Sequence, residues 1–140
     1  MQTARHLDHA RQVAMDAHEG QQDKIGNPYF QHCERVAGKV MSESEKVVAY
    51  LHDITEKAPG WTIDRLREEG FSASVIAAVD ALTRRSGEND VSFIRRAASN
   101  ALARAVKRAD LEDNRFQAER AGLDPEKFEK GLAALTALGC

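Results

Sequence analysis

Apolar residues recur three and four positions apart along most of this chain, and no stretch alternates apolar with polar for long enough to suggest a strand. Glycine and proline gather in four breaks, at residues 20–28, 58–60, 86–90 and 122–125, which cut the pattern into helices. The spacing predicts a first helix over about residues 3–18. A second starts at Pro28, a favoured first helical position, and runs to about residue 40 with a stripe of Tyr29, Cys33, Val36, Ala37 and Val40. A third, over about residues 44–56, is apolar nearly all round from Val47 to Leu51 and is therefore expected at the centre. A short fourth begins at Thr62, whose side chain suits a cap. Others cover about residues 72–82, 90–97 and 99–114, and the last opens at Asp124-Pro125 and ends at Gly139. The expectation is an all-α fold: one compact bundle of seven to eight helices forming a single domain over residues 1–140.

Composition narrows the class. The 140 residues are 42% hydrophobic and 30% charged, which fits a globular protein and argues against disorder. The net charge of −2 excludes a generally basic nucleic-acid coat protein, so no nucleic-acid partner is expected. No apolar run approaches the ~20 residues of a membrane-crossing helix, and Met1 to His6 lack the apolar core of a signal peptide. Cys33 and Cys140 have no metal-knuckle spacing. A cytoplasmic protein with reduced thiols, monomeric or homodimeric and without membrane contact, is the expectation.

The informative positions are polar residues inside apolar stripes, because burying one without a partner costs about 1–3 kcal/mol or more. His32 lies three residues after Tyr29 and four before Val36, at the border of a buried face. His52 and Asp53 end the most apolar helix. Neighbours on a helix point about 100° apart, so both reach one ion only from a cavity at the helix end. Asp110 follows Leu102 and Val106 at intervals of four. Singly, each has a structural explanation: a hydrogen-bonded core histidine, a histidine meeting a helix dipole, a carboxylate paired with Lys or Arg. Together, two imidazoles and two carboxylates from three central helices form a mixed nitrogen and oxygen set that suits Mn²⁺, Fe²⁺ or Zn²⁺ better than Mg²⁺. Such an ion acidifies a water it holds and so generates a nucleophile. Glu56 lies four residues after His52 and three after Asp53, placed to aim at the same cavity as a proton-transfer group. Between residues 84 and 108, seven Arg and Lys (Lys107 among them) face two acids, Glu88 and Asp90, enough to line one side of an anionic-substrate site, while for any single Arg a solvated face salt-bridged to Glu and Asp elsewhere is the structural alternative. His6 and His9, three apart on the first helix, are a weaker metal candidate.

The ordered set His18-x-Gly20-Gln21-x-x-Lys24-x-Gly26-x-Pro28-Tyr29-x-x-His32-x-x-x-Val36-Ala37, then Leu51-His52-Asp53-x-x-Glu56, then Val106-Lys107-x-Ala109-Asp110-x-x-x-Asn114, resembles the HD-domain metal-dependent phosphohydrolases. Within them it is similar to the hydrolase domain of RelA/SpoT-type alarmone enzymes and to the stand-alone small alarmone hydrolases. The resemblance implies that His32, His52, Asp53 and Asp110 ligate one Mn²⁺ ion. It implies that Glu56, with Asp53, serves the catalytic step, and that Lys24 and Asn114 lie at the nucleotide. Tyr29, Lys57 and Lys107 complete the expected substrate-binding set. The implied reaction is removal of the 3′-pyrophosphate of (p)ppGpp. The chain departs from the pattern twice: Lys57 stands where the family commonly has a second acid, and Asp23 where the long enzymes commonly have Arg. Both departures read as charge reversals at the site mouth, and Lys57 is a candidate partner for Asp23. A phosphohydrolase of another nucleotide, or a non-catalytic nucleotide-binding regulatory module, are the alternatives.

Overall fold

The structure, a computed structural model, describes residues 2–139, with side chains from His6 to Gly139; Cys140 lies outside the described residues. Among the described residues there are nine helices: α1 (Gln2–Ala17), α2 (Phe30–Lys39), α3 (Glu43–Leu51), α4 (Ile54–Lys57), α5 (Ile63–Glu68), α6 (Ala73–Ala81), α7 (Asp90–Ala98), α8 (Ala101–Arg120) and α9 (Glu126–Ala137). The all-α expectation holds. No strand is present among the described residues, only an isolated bridge between Gln22 and Pro28 that pinches the base of the 21–28 loop.

The central position of α3 follows from its composition. Val47, Val48, Ala49, Tyr50 and Leu51 are all buried, and the helix packs on α1, α2, α6 and α8. A Ser42–Glu45 capping box fixes its start, with the Ser42 side chain taking the Glu45 N–H and the Glu45 carboxylate taking the Ser42 N–H. α8 is the second axis, packing on α2, α3, α6, α7 and α9. The small core joining α7, α8 and α9 is built on Ile94, Ala98, Leu111, Leu132 and Leu135.

The second helix starts at Phe30 rather than Pro28, which is held in the bridge to Gln22. Three further boundaries differ from the sequence reading. The helix expected over residues 44–56 breaks at His52–Asp53, where Asp53 sits at φ −103°, ψ −1° and α4 restarts as a single turn. The expected stop at residue 114 moves to Arg120 because the inner face of α8 continues through two buried polar residues, Asp113 and Gln117, before Ala118. The last helix is capped by Pro125 rather than Asp124, although the Asp124 carboxylate accepts the Glu126 N–H at 3.0 Å.

α9 approaches α8 closely because Gly131 carries no side chain. A Cβ there would lie 2.9 Å from Leu111 Cδ2 and 3.1 Å from Leu111 Cδ1. Gly131→Val is therefore expected to push α9 outward and cost about 1–3 kcal/mol, the range for overpacking. Urea unfolding midpoints check this, and an unchanged midpoint refutes the close-packing account.

Candidate metal centre and substrate cavity

His32 comes from α2, His52 and Asp53 from the break after α3, and Asp110 from α8. The break lets two adjacent side chains turn toward one point, which a continuous helix forbids. One ligand atom from each of the four lies within 4.8 Å of all the others. Asp110 Oδ1 is 3.1 Å from both His32 Nε2 and His52 Nε2, and Asp53 Oδ2 is 3.1 Å from His52 Nε2 and 3.5 Å from His32 Nε2. The outer nitrogens are held from behind. His52 Nδ1 donates to the Ala49 carbonyl at 2.6 Å, and His32 Nδ1 donates to Asp113 Oδ2 at 2.6 Å. These bonds assign the Nδ1–H tautomer, so both Nε2 atoms aim at the cluster, as metal-binding imidazoles do.

The donor set fits a divalent cation on charge grounds. Two carboxylates enclosed in the protein demand positive charge, and without an ion it comes from protons on the imidazoles and from Lys107 beside Asp110. Burial alone pushes the imidazoles down, but Asp110, Asp113 and Asp53 hold His32 well above its ordinary value. Against the same burial, Asp53 and Asp110 raise His52 to about 10. Burial likewise disfavours the two carboxylates, yet contact with the histidines keeps Asp53 well below the usual range, and Lys107 and His52 do the same for Asp110. A divalent ion replaces two protons at one point, so His32, His52, Asp53 and Asp110 form a group able to hold one.

The cluster opens onto a cavity of about 910 Å³. Lys24, Tyr29, Asp53, Glu56, Lys57, Lys107, Asp110 and Asn114 all line it, so the structure brings these expected members of the site to one space, with His32 and His52 buried beneath. Lys24 Nζ donates to Asn114 Oδ1 at 2.6 Å, and Asn114 Nδ2 donates to Asp110 Oδ1 at 2.9 Å. Lys107 Nζ reaches Asp110 Oδ2 at 3.2 Å. The Tyr29 hydroxyl donates to Asp53, and burial with that carboxylate pushes the phenol far up, so it stays protonated. Glu56 is exposed at the rim, where its carboxylate accepts the Arg84 N–H and anchors the loop after α6. Lys57 is exposed, with Nζ 5.5 Å from the Tyr29 ring centroid.

Several expectations need correction. Asp23 is no mouth charge facing Lys57: its carboxylate turns inward to Arg35 at 3.0 Å and accepts the N–H groups of Ile25 and Asn27. Of the basic stretch between residues 84 and 108, only Arg84 and Lys107 line the cavity. Arg85 pairs with Asp80, Arg96 with Glu88, and Arg104 bonds the Ala98 carbonyl, so this stretch largely ties helices together. The far wall comes instead from α7 and α9, including Phe93, Lys127, Phe128 and Lys130. His9 joins Glu69 and stacks on Phe71, away from the cluster.

Asp113, Gln117 and Arg35 went unread in the sequence. For Asp113 and Gln117 the signal was the inner-face register of α8, in which Ala103, Val106, Asp110, Asp113 and Gln117 repeat at three- and four-residue steps and are all buried. His18 supports the loop: Nδ1 meets Gln21 Oε1 at 2.8 Å, and the ring centroid lies 4.8 Å from that of Tyr29.

No protein-family model matches the chain. The likeness to RelA/SpoT-type hydrolases carried by the motifs recurs in both remaining comparisons. A solved structure described as a metazoan ortholog of SpoT that hydrolyzes ppGpp and plays a role in starvation responses superposes with a TM-score of 0.74 at 22% identity, covering 94% of this chain and 82% of that one. A 76-residue stretch, 51% of this chain, is 38% identical to the guanosine-3′,5′-bis(diphosphate) 3′-pyrophosphohydrolase of Haemophilus influenzae. The match spans 11% of that longer protein. No helix among the described residues is long and apolar enough to cross a membrane.

Stability contributed by protonated His52 is complete below its unfolded value near 6.5 and is lost as pH rises toward about 10. An ion takes over that role without needing the proton. The rise in Tm on adding a divalent ion should therefore widen steadily from pH 6 to 8.5 in differential scanning fluorimetry, and a constant difference contradicts proton–metal exchange.

Proposed function

We propose that this chain is a divalent-metal-dependent phosphohydrolase that cleaves the 3′-pyrophosphate from a guanosine bis(diphosphate)-type nucleotide, releasing GDP or GTP and pyrophosphate. The observation that carries this reading is a two-imidazole, two-carboxylate cluster beneath a cavity lined by Lys24, Lys57, Arg84 and Lys107. The names of the relatives above add the substrate class. In this reading His32, His52, Asp53 and Asp110 hold the ion, taken as Mn²⁺ for its tolerance of mixed nitrogen and oxygen donors. When bound, it supplies Lewis acidity at the scissile phosphate and acidifies water.

The chain's own residues do the rest. Lys24, Lys57 and Lys107 offset the charge that builds on the phosphoryl oxygens. Asn114 and Tyr29 fix Lys24 and Asp53 in place. Glu56, at the rim next to Lys57, moves the proton that water gives up or that the departing 3′-oxygen needs. The net change is one water consumed and one phosphoester bond broken.

A second reading, the same chemistry on another nucleotide, is favoured by two residues. Asp23 offers the base no cation, whereas an Arg there presents a planar guanidinium. Lys57 is an exposed ammonium where an acid is usual, and it adds affinity for an anion.

Purified protein with Mn²⁺ and a nucleotide panel, with products separated by ion exchange, tests both readings. The first expects GDP and pyrophosphate in equal amounts from guanosine 3′,5′-bis(diphosphate), with metal and turnover lost together in His32→Ala. Metal uptake without turnover on any nucleotide rejects catalysis. Lys57→Asp should change the relative rates across the panel, and identical ratios would make the departure silent.

Glu56→Gln should keep the metal and lower turnover by about 10²-fold or more. Unchanged turnover at saturating substrate removes Glu56 from the chemistry and leaves it as an anchor for Arg84.

A further inference from the structure

Behind His32 lies a continuous line of charged groups that the proposed reaction does not use. Asp113, fully buried, accepts at Oδ2 from His32 Nδ1 at 2.6 Å and from Gln117 Nε2 at 2.7 Å, and at Oδ1 from Arg35 Nε at 2.7 Å. Arg35 Nη2 also donates to Asp113 Oδ2 at 3.2 Å and to Asp23 Oδ2 at 3.0 Å. Asp23 Oδ1 in turn accepts the backbone N–H groups of Ile25 at 3.1 Å and Asn27 at 2.9 Å. A second path closes the ring, because Gln117 Oε1 accepts the Lys24 N–H at 2.9 Å.

We infer that Asp113 is a positioning residue for His32, and that Arg35 and Asp23 hold it there, so that the 21–28 loop and this imidazole form one rigid unit. The inference rests on the reading of His32 as a metal ligand. Chemistry favours it over a plain buried ion pair. The shortest bond made by Asp113 goes to the ring nitrogen opposite the one facing the cluster. A carboxylate there fixes the tautomer, stops ring rotation and makes the inward nitrogen more basic. Gln117 Nε2 lies 3.1 Å from His32 Nδ1, but that nitrogen's proton is already given to Asp113, so the amide serves Asp113 instead. Arg35 is the only guanidinium among the described residues bonded to both Asp23 and Asp113. Its planar fork lets it serve both at once. In consequence the loop bearing Lys24, and Tyr29 at its end, is set in register with the donor cluster. The Asp that replaces a family Arg at residue 23 supplies the loop end of the connection.

The test uses Mn²⁺ alone, with no nucleotide, and reads free ion by electron paramagnetic resonance. Asp113→Asn keeps the shape but loses the charge, and its affinity for Mn²⁺ should fall about 10–100-fold, the range for a group that orients a ligand. Arg35→Met should weaken binding less, and Arg35→Lys should recover part of that loss. Because the groups act in series, Asp113→Asn/Arg35→Met should bind no more weakly than Asp113→Asn. The absorption bands of the Co²⁺-loaded variants should shift as His32 is released, which a change in fold stability alone does not produce. Wild-type affinity in folded Asp113→Asn and Arg35→Met overturns the inference while leaving the metal reading intact. If Asp113→Asn does not fold, wild-type affinity and wild-type Co²⁺ bands in the Arg35 variants overturn it. A wild-type chain that takes up no Mn²⁺ overturns the metal reading and this inference with it.

Discussion

The structure turns on the need to balance two carboxylates enclosed beside two imidazoles at the meeting point of α2, α3 and α8. Asp53 and Asp110 share His32 and His52 at 3.1–3.5 Å, in surroundings where an unbalanced charge costs several kcal/mol. Buried ion pairs of this kind seldom add net stability over apolar residues of the same volume. Their retention at the centre of an otherwise apolar core therefore points to function. The same requirement shapes the backbone: α3 stops at Leu51 instead of running on, and the break turns His52 and Asp53 to one side.

α8 carries the consequences furthest. Its inner face alternates small apolar residues, Ala103 and Val106, with Asp110, Asp113 and Gln117, so one helix packs the core, supplies a donor and braces another donor from behind. Each polar residue on that face has its partners among neighbouring elements, which is what makes such a face tolerable. The one buried side-chain nitrogen without a partner among the described residues is His18 Nε2. Burial holds that imidazole below its ordinary value, so it carries a lone pair and no charge, a far smaller penalty than an unpaired carboxylate.

Much of this was legible in the chain. Helical spacing gave most elements to within a few residues, and His32, His52, Asp53 and Asp110 stood out because each breaks an apolar stripe. What escaped shares a cause. The end of α8 and the roles of Asp113, Gln117 and Arg35 depend on contacts between α8 and the region around α2, many of them 78 or more positions apart, as His32–Asp113 and Arg35–Asp113 are. One-dimensional periodicity treats such residues as solvent-facing and ends the helix there. The basic stretch misled for the converse reason: local charge density does not reveal that Arg96 is consumed by Glu88 and two carbonyls.

The two departures from the family pattern differ in kind once their surroundings are known. At residue 23 the reversed charge is absorbed: Arg35 and two backbone N–H groups take the carboxylate, leaving the loop in order and the cavity without its negative field at full strength. At residue 57 no carboxylate among the described residues pairs with it, and its one close partner is the face of Tyr29. Lys57 forms no ion pair among the described residues and stands exposed beside Glu56. With Lys24, Arg84 and Lys107 on the same cavity, the balance at the rim moves toward cation. A rim of that sign strengthens attraction for a polyanion regardless of its base. In the function proposed above, the absence of a planar cation at residue 23 would remove one means of reading a base. The two departures would then act together, trading selectivity for the nucleobase against affinity for phosphate.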